Sequence, residues 1–190
     1  MHVRPFVAVL SSLLLAACAT PSGEGASAPE VAQAAAPVLA PRPGIQVLEF
    51  EITIAAPVER VWDVMFGPET YTEWTAAFAP GSYFEGRWAQ GERMHFLNPG
   101  GSGMVAEIAV LRLHEYVSIR HLGFVFSGIE DTDSDAVRAW APAYENYHFR
   151  SFDGGTVVGV EHESFEEMVG YMKQVWPKAL AKVKELSEAP

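Results

Sequence analysis

Cysteine is almost missing from this chain, one residue in 190, which excludes an intramolecular disulfide and any cysteine-rich zinc site. Basic residues are scarce too: 13 Lys and Arg stand against 24 Asp and Glu, for a net charge of -11. A nucleic-acid surface needs a basic patch to displace counterions, so no nucleic-acid partner is expected. No apolar run approaches the roughly 18 residues of a spanning helix. There is no Gly-x-Ser-x-Gly elbow, and no Gly-Lys-Ser/Thr follows the glycine-rich Asn98-Pro99-Gly100-Gly101-Ser102-Gly103, which therefore reads as a turn. What is present is 49% hydrophobic and 12% aromatic with only 19% charged residues, a composition for one soluble folded domain rather than a disordered chain.

The first residues read as an address. Arg4 precedes an apolar stretch, Pro5 to Ala17, interrupted only by Ser11 and Ser12, as in a secretory leader. The stretch ends in Leu15-Ala16-Ala17-Cys18, which resembles the lipobox of bacterial lipoproteins. The resemblance implies cleavage before Cys18 and acylation of that residue, with several acyl chains giving firm attachment where one is marginal. Ala19, rather than Asp, after the cysteine implies sorting to the outer membrane, facing the periplasm. An ordinary signal peptide with a chance cysteine is the alternative. Residues 18–44 are rich in Ala, Pro, Ser and Gly, with too little apolar surface to offset the entropy of ordering, and are expected to form a disordered tether. The expected organisation is thus a leader over 1–17, a lipidated linker over 18–44 and a domain over 45–190.

From Ile45 the pattern is that of an α+β domain. Residues 46–54 alternate as a strand; Pro57, tolerated in a first helical turn, starts a helix carrying Val58, Val61, Trp62 and Met65, which Gly67-Pro68 ends. A short helix is expected from Glu69 to Trp74. Six extended segments follow, over 82–86, 92–97, 104–113, 117–126, 144–152 and 156–163, divided by short Gly, Asn and Pro turns, which implies an antiparallel meander. The acidic segment Ser127 to Ala141 breaks the meander as a long loop with a helical turn at Asp135 to Trp140. A final helix from Phe165 to Ser187 carries one apolar stripe, Met168, Met172, Val175, Trp176, Ala179, Leu180, Val183 and Leu186. Pro177 lies inside it and should kink the helix or break it in two.

This order, with Ala55-Ala56-Pro57-Val58-Glu59-Arg60-Val61-Trp62, Arg93-Met94-His95-Phe96, Gly154-Gly155-Thr156 and Trp176-Pro177-Lys178-Ala179-Leu180, resembles the START-like or SRPBCC superfamily, the helix-grip fold. Ser118-Ile119-Arg120-His121-Leu122-Gly123 with Tyr144-Glu145-Asn146-Tyr147 resembles the subgroup related to the activator of the heat-shock-protein-90 ATPase. The resemblance implies a curved sheet of about seven strands wrapped on its last helix, enclosing an apolar cavity for a small hydrophobic ligand.

The expected wall of such a cavity is Trp74, Phe84, Trp88, Phe96, Val117, Ile119, His121, Tyr147, Phe149, Val158, Val160, Met168, Met172 and Trp176; the same side chains could instead interdigitate as a solid core. By alternation His121 shares a face with Val117 and Ile119, His162 with Val158 and Val160, and Glu145 with Tyr147 and Phe149. His121, Glu145 and Tyr147 are the catalytic candidates if the domain is an enzyme. No spacing ties them together, so a histidine at the cavity rim and a carboxylate at its mouth are the expectation. No cofactor and no metal are expected: the six histidines lie on separate elements, and Glu130 to Asp135 lacks the glycine and distal Glu of a calcium loop. The functional expectation is a lipid-tethered binding module that meets the membrane only through its N-terminal lipid. The alternatives are a polyketide cyclase or dehydratase-like enzyme and an envelope protein-interaction domain.

Overall fold

The computed structural model describes residues 35–190. The leader over 1–17, Cys18 and the linker as far as residue 34 lie outside the described residues.

Strand β1 (Ile45–Ile54) leads into helix α1 (Val58–Phe66), which Pro57 precedes, and helix α2 (Pro68–Thr75). Gly67 joins the two helices, and a Cβ there would lie 2.5 Å from the Asp63 carbonyl oxygen, so the tight passage requires glycine. Strands β2 (Tyr83–Glu85), β3 (Arg93–Leu97), β4 (Gly103–Arg112), β5 (Tyr116–Phe126), β6 (Ile129–Asp131), β7 (Ala143–Phe152) and β8 (Gly155–Phe165) follow, with helix α3 (Asp135–Arg138) between β6 and β7. A 3-10 turn (Glu166–Met168) then opens helix α4 (Val169–Glu188). All pairings are antiparallel in the order β1-β8-β7-β5-β4-β3-β2, with β6 added beside β5. This is the helix-grip arrangement: one antiparallel sheet with the terminal helix packed along its β1 and β8 strands and α2 against its β2 edge.

Three expectations are corrected. The sheet has eight strands, not about seven, because Ile129 to Asp131 turns back on Phe124 to Phe126 across Ser127-Gly128, both at positive φ. The segment 127–141 is consequently not one long loop: Ser134 accepts the Val137 N–H at 3.3 Å and caps α3, and Trp140 is buried behind it. The terminal helix starts at Val169 rather than Phe165, since Phe165 is still paired with Ile45 in the sheet. Met168 therefore falls in the 3-10 turn, 38% exposed, and not on the apolar stripe. The helix runs unbroken through Pro177, which leaves the Lys173 carbonyl without its usual helical donor.

Trp176, Ala179, Leu180 and Val183 of α4 are buried against the sheet and α1, in one cluster with Ile54, Trp62, Met65, Trp74, Val117, Tyr147, Phe149, Val158 and Val160. Each of the larger aliphatic and aromatic side chains among them contributes about 1.5–3 kcal/mol through removal from water. The far end of α4 is tied down by hydrogen bonds: Glu188 accepts the Ala55 N–H at 2.7 Å, and Lys184 donates to the Thr53 carbonyl at 2.8 Å. A second cluster of Ile45, Trp140 and Ala143 closes the other end, with Phe124 and Phe165 against it. Arg42 reaches this cluster, donating to the Trp140 and Pro142 carbonyls and lying 3.7 Å from Glu163, so ordered contacts begin three residues before Ile45. Among the described residues, no helix is long and apolar enough to cross a membrane.

Candidate functional site

Alternation along the central strands aims one row of side chains at α4. On β5 these are Ile119 and His121, on β7 Glu145 and Tyr147, and on β8 His162. Register then decides which of them meet. Ile119 faces Glu145 across the β5–β7 ladder, and Glu145 faces His162 across the β7–β8 ladder. From the helices, Tyr71, Trp74, Met172 and Trp176 approach the same space. Between them lies a cavity of about 280 Å³, near the lower end of the roughly 300–1,000 Å³ of small-molecule sites. A groove of about 660 Å³ lies over β1, β7 and β8, but Glu49, Glu51, Arg150 and Glu161 make it a charged surface, not an apolar site.

Of the residues expected in the wall, Trp74, Trp88, Phe96, Ile119, His121, Tyr147, Met172 and Trp176 line the cavity. Phe149, Val160, Val117, Val158 and Phe84 do not: Phe149 lies under the Trp62 and Phe66 rings, at 5.1 and 6.0 Å, and the others pack in the same core. They have the right facing but sit in space that the core already fills, Phe84 among them against the Tyr71 and Trp88 rings at 5.0 and 5.4 Å. Met168 is absent from the wall because it precedes the helix. Sequence reasoning missed Phe66, Tyr71, Phe78 and Tyr171. Tyr71 stands three residues before Trp74 on α2, a spacing that places both on one face. The Tyr171 hydroxyl donates to the Phe78 carbonyl at 2.7 Å, joining the first turn of α4 to the segment after α2.

The polar groups do not spread to rim and mouth as the sequence suggests. Glu145 accepts from the Tyr147 hydroxyl through Oε1 and lies 3.1 Å from His162 Nδ1 through Oε2. A carboxylate only accepts, so Nδ1 of His162 carries the proton. Burial alone pushes the Glu145 carboxyl up, but the His162 hydrogen bond and the neighbouring histidine and Tyr147 groups outweigh it, and the net shift is downward. Glu145 is accordingly an ionised carboxylate inside the cavity. Tyr147, raised by burial and then by Glu145, stays a phenol and a donor.

His121 is 3% exposed, and burial lowers it to about 4, so it is a neutral imidazole at physiological pH. It stacks on Trp140 at 5.5 Å, yet neither ring nitrogen has a hydrogen-bond partner. The indole nitrogens of Trp176 and Trp88 are likewise buried and unpartnered, whereas Trp74 donates to the Met65 carbonyl at 3.0 Å. Buried polar atoms are ordinarily paired, so three unpaired nitrogen-bearing side chains around one cavity are conspicuous. Among the described residues, no group of three or more His, Cys, Asp or Glu could hold a metal ion. Glu130, in the acidic segment, turns instead to Arg93 and His95, and its hydrogen bonds hold the carboxyl down to about 2.

The fold has relatives of known structure. Protein MLL2253 from Mesorhizobium loti shares 18% identity at a TM-score of 0.57, with 74% of this chain and 96% of that one covered. CalU16 from Micromonospora echinospora shares 16% identity at 0.54, covering 76% and 77%. The Aha1 dimer from Colwellia psychrerythraea shares 16% at 0.54, covering 76% and 95%. At these identities the likeness is one of fold. A search of the curated proteins gives no match. The family model described as Activator of Hsp90 ATPase homolog 1-like protein matches residues 55–188, from the entry to α1 through the end of α4. By that match and by its helix-grip architecture, the chain belongs to the Activator of Hsp90 ATPase homolog 1-like family of the START-like/SRPBCC superfamily.

Proposed function

We propose that this chain is a lipid-anchored protein of the bacterial cell envelope whose domain binds a small hydrophobic or amphipathic ligand between the sheet and α4. The observation that carries the reading is the aromatic-walled cavity of about 280 Å³ at the centre of the fold. A concave apolar site with few polar groups removes a guest from water while those groups fix its orientation. The test is organic extraction of the protein purified from its own membranes, followed by mass spectrometry. A stoichiometric small molecule is expected; protein that extracts clean from every preparation contradicts the binding reading.

The anchor is supported by the leader and by the position of Cys18 at its end. Cys18→Ser is expected to block acylation and to move the protein from the membrane to the soluble fraction. Unchanged membrane association after this substitution would remove the lipid anchor from the account.

A second reading, acid–base catalysis in the same cavity, is favoured by the ionised Glu145 beside His162 and the neutral His121. Under it, His121→Ala keeps the fold and abolishes turnover of the identified guest; a guest recovered unchanged after long incubation with active protein counts against it.

A further inference from the structure

We infer that the guest is a neutral, ring-sized amphiphile that presents a hydroxyl or carbonyl oxygen to His121 and to the indole N–H groups of Trp176 and Trp88; this rests on the ligand-binding reading above. The protein leaves several buried nitrogen atoms of the cavity wall unpaired. Trp176 is 1% exposed and His121 is 3% exposed, both line the cavity, and neither the indole nitrogen nor the two imidazole nitrogens have a protein partner. Trp88 adds a third unpartnered ring to the same wall. A neutral imidazole offers one N–H and one lone pair, and each indole offers an N–H alone. The wall therefore presents three donors and one acceptor to whatever enters.

Charge narrows the choice further. An ammonium guest brings donors only and leaves both indoles and the imidazole N–H unpaired. It would also find Glu145 already engaged, one oxygen by Tyr147 and the other by His162. A carboxylate guest could satisfy the donors, but it would bring a second negative charge near Glu145 in a medium where like charges repel strongly. A hydroxyl accepts from an indole and donates to the imidazole lone pair; a carbonyl accepts from two donors at once. The rest of the wall, with Tyr71, Trp74, Phe78 and Phe96, offers flat apolar faces to a ring.

The experiment is calorimetric titration of the full chain carrying Cys18→Ser, so that no acyl chain competes, with four probes on one ring. They are 2-naphthol, 2-methylnaphthalene, 2-naphthoate and 2-naphthylmethylammonium. Binding of 2-naphthol about tenfold tighter than 2-methylnaphthalene is expected, because the hydroxyl relieves buried groups left unpaired by the methyl. Both charged probes are expected to bind more weakly than 2-naphthol. The naphthol-to-methylnaphthalene ratio should fall toward one in Trp176→Phe, which keeps a ring and removes one donor, and in His121→Phe. Equal binding of naphthol and methylnaphthalene overturns this inference and leaves the apolar binding reading standing, as does a charged probe that binds tightest. Failure of every probe to bind overturns both.

Discussion

Removal of the His162 imidazole tests whether the carboxylate in the cavity is held by the partner described. His162→Leu keeps most of the side-chain volume and takes away the Nδ1–H that lies 3.1 Å from Glu145 Oε2. The Glu145 and His162 side chains are 14% and 11% exposed, so water replaces the lost donor poorly. A hydrogen bond to a charged group contributes about 1.5–3 kcal/mol, and for a domain of this size each kcal/mol shifts Tm by roughly 2–4 °C. A fall in Tm of roughly 3–12 °C at pH 7 follows from these figures.

The pH dependence gives the sharper signature. In the native protein the Glu145 carboxyl lies below its ordinary value despite burial, so its contribution is present above the unfolded pKa and is lost as pH falls through the lowered one. In the variant burial dominates and the carboxyl rises, so the penalty is full near neutrality and disappears once the pH drops below the unfolded value. The gap in Tm between native and variant protein is thus expected to be largest at pH 7 and to close toward pH 4. Thermal unfolding followed by circular dichroism at pH 7, 5.5 and 4 measures it. A gap that is absent, or constant across the three, would refute the assignment of Glu145 as an ionised, His162-held group.

Two tryptophans on the cavity wall should respond differently to the same change. Trp74→Phe strands the Met65 carbonyl and is expected to cost about 1–3 kcal/mol, while Trp176→Phe breaks no hydrogen bond and should cost less than Trp74→Phe in the same urea titration. Trp176→Ala, by contrast, opens the core under α4 and should cost about 3–5 kcal/mol. The His121 imidazole, lowered to about 4 by burial, is expected to show no protonation shift in its ring NMR signals between pH 8 and 5.5, where an ordinary histidine titrates. Because its native pKa is below the unfolded one, stability is lost as pH falls from about 6.5 toward 4, and His121→Phe should remove that part of the decline.

The sequence is informative wherever one element carries its own signal. Pro57 and Gly67-Pro68 bracket α1, alternation gives the facing of His121, Glu145, Tyr147 and His162, and the apolar stripe of α4 marks the helix that the sheet grips. Strand β6 escapes because three residues in an acidic segment make no pattern, although Ser127-Gly128 is the kind of dipeptide that turns a hairpin. The contact of Glu145 with His162 escapes for another reason. It is created by the β7–β8 register between residues 17 apart, and alternation gives the face of a residue without its partner. Depth along a strand is similarly invisible: Phe149 and Tyr147 share a face of β7, but only Tyr147 lines the cavity, while Phe149 lies beneath α1. The leader and Cys18 stand apart, since their reading rests on local sequence and needs no tertiary contact.

A guest held between the sheet and α4 must touch the unpaired indoles of Trp176 and Trp88. Five tryptophans give five Nε1–H signals in a ¹H–¹⁵N spectrum of the Cys18→Ser chain, and their assignment makes each wall residue a reporter. On titration with 2-naphthol, the Trp176 and Trp88 signals are expected to shift together and saturably, and by more than those of Trp62 and Trp140, which do not line the cavity. Saturating probe that moves no indole signal, or moves Trp62 and Trp140 while leaving Trp176 untouched, contradicts the account.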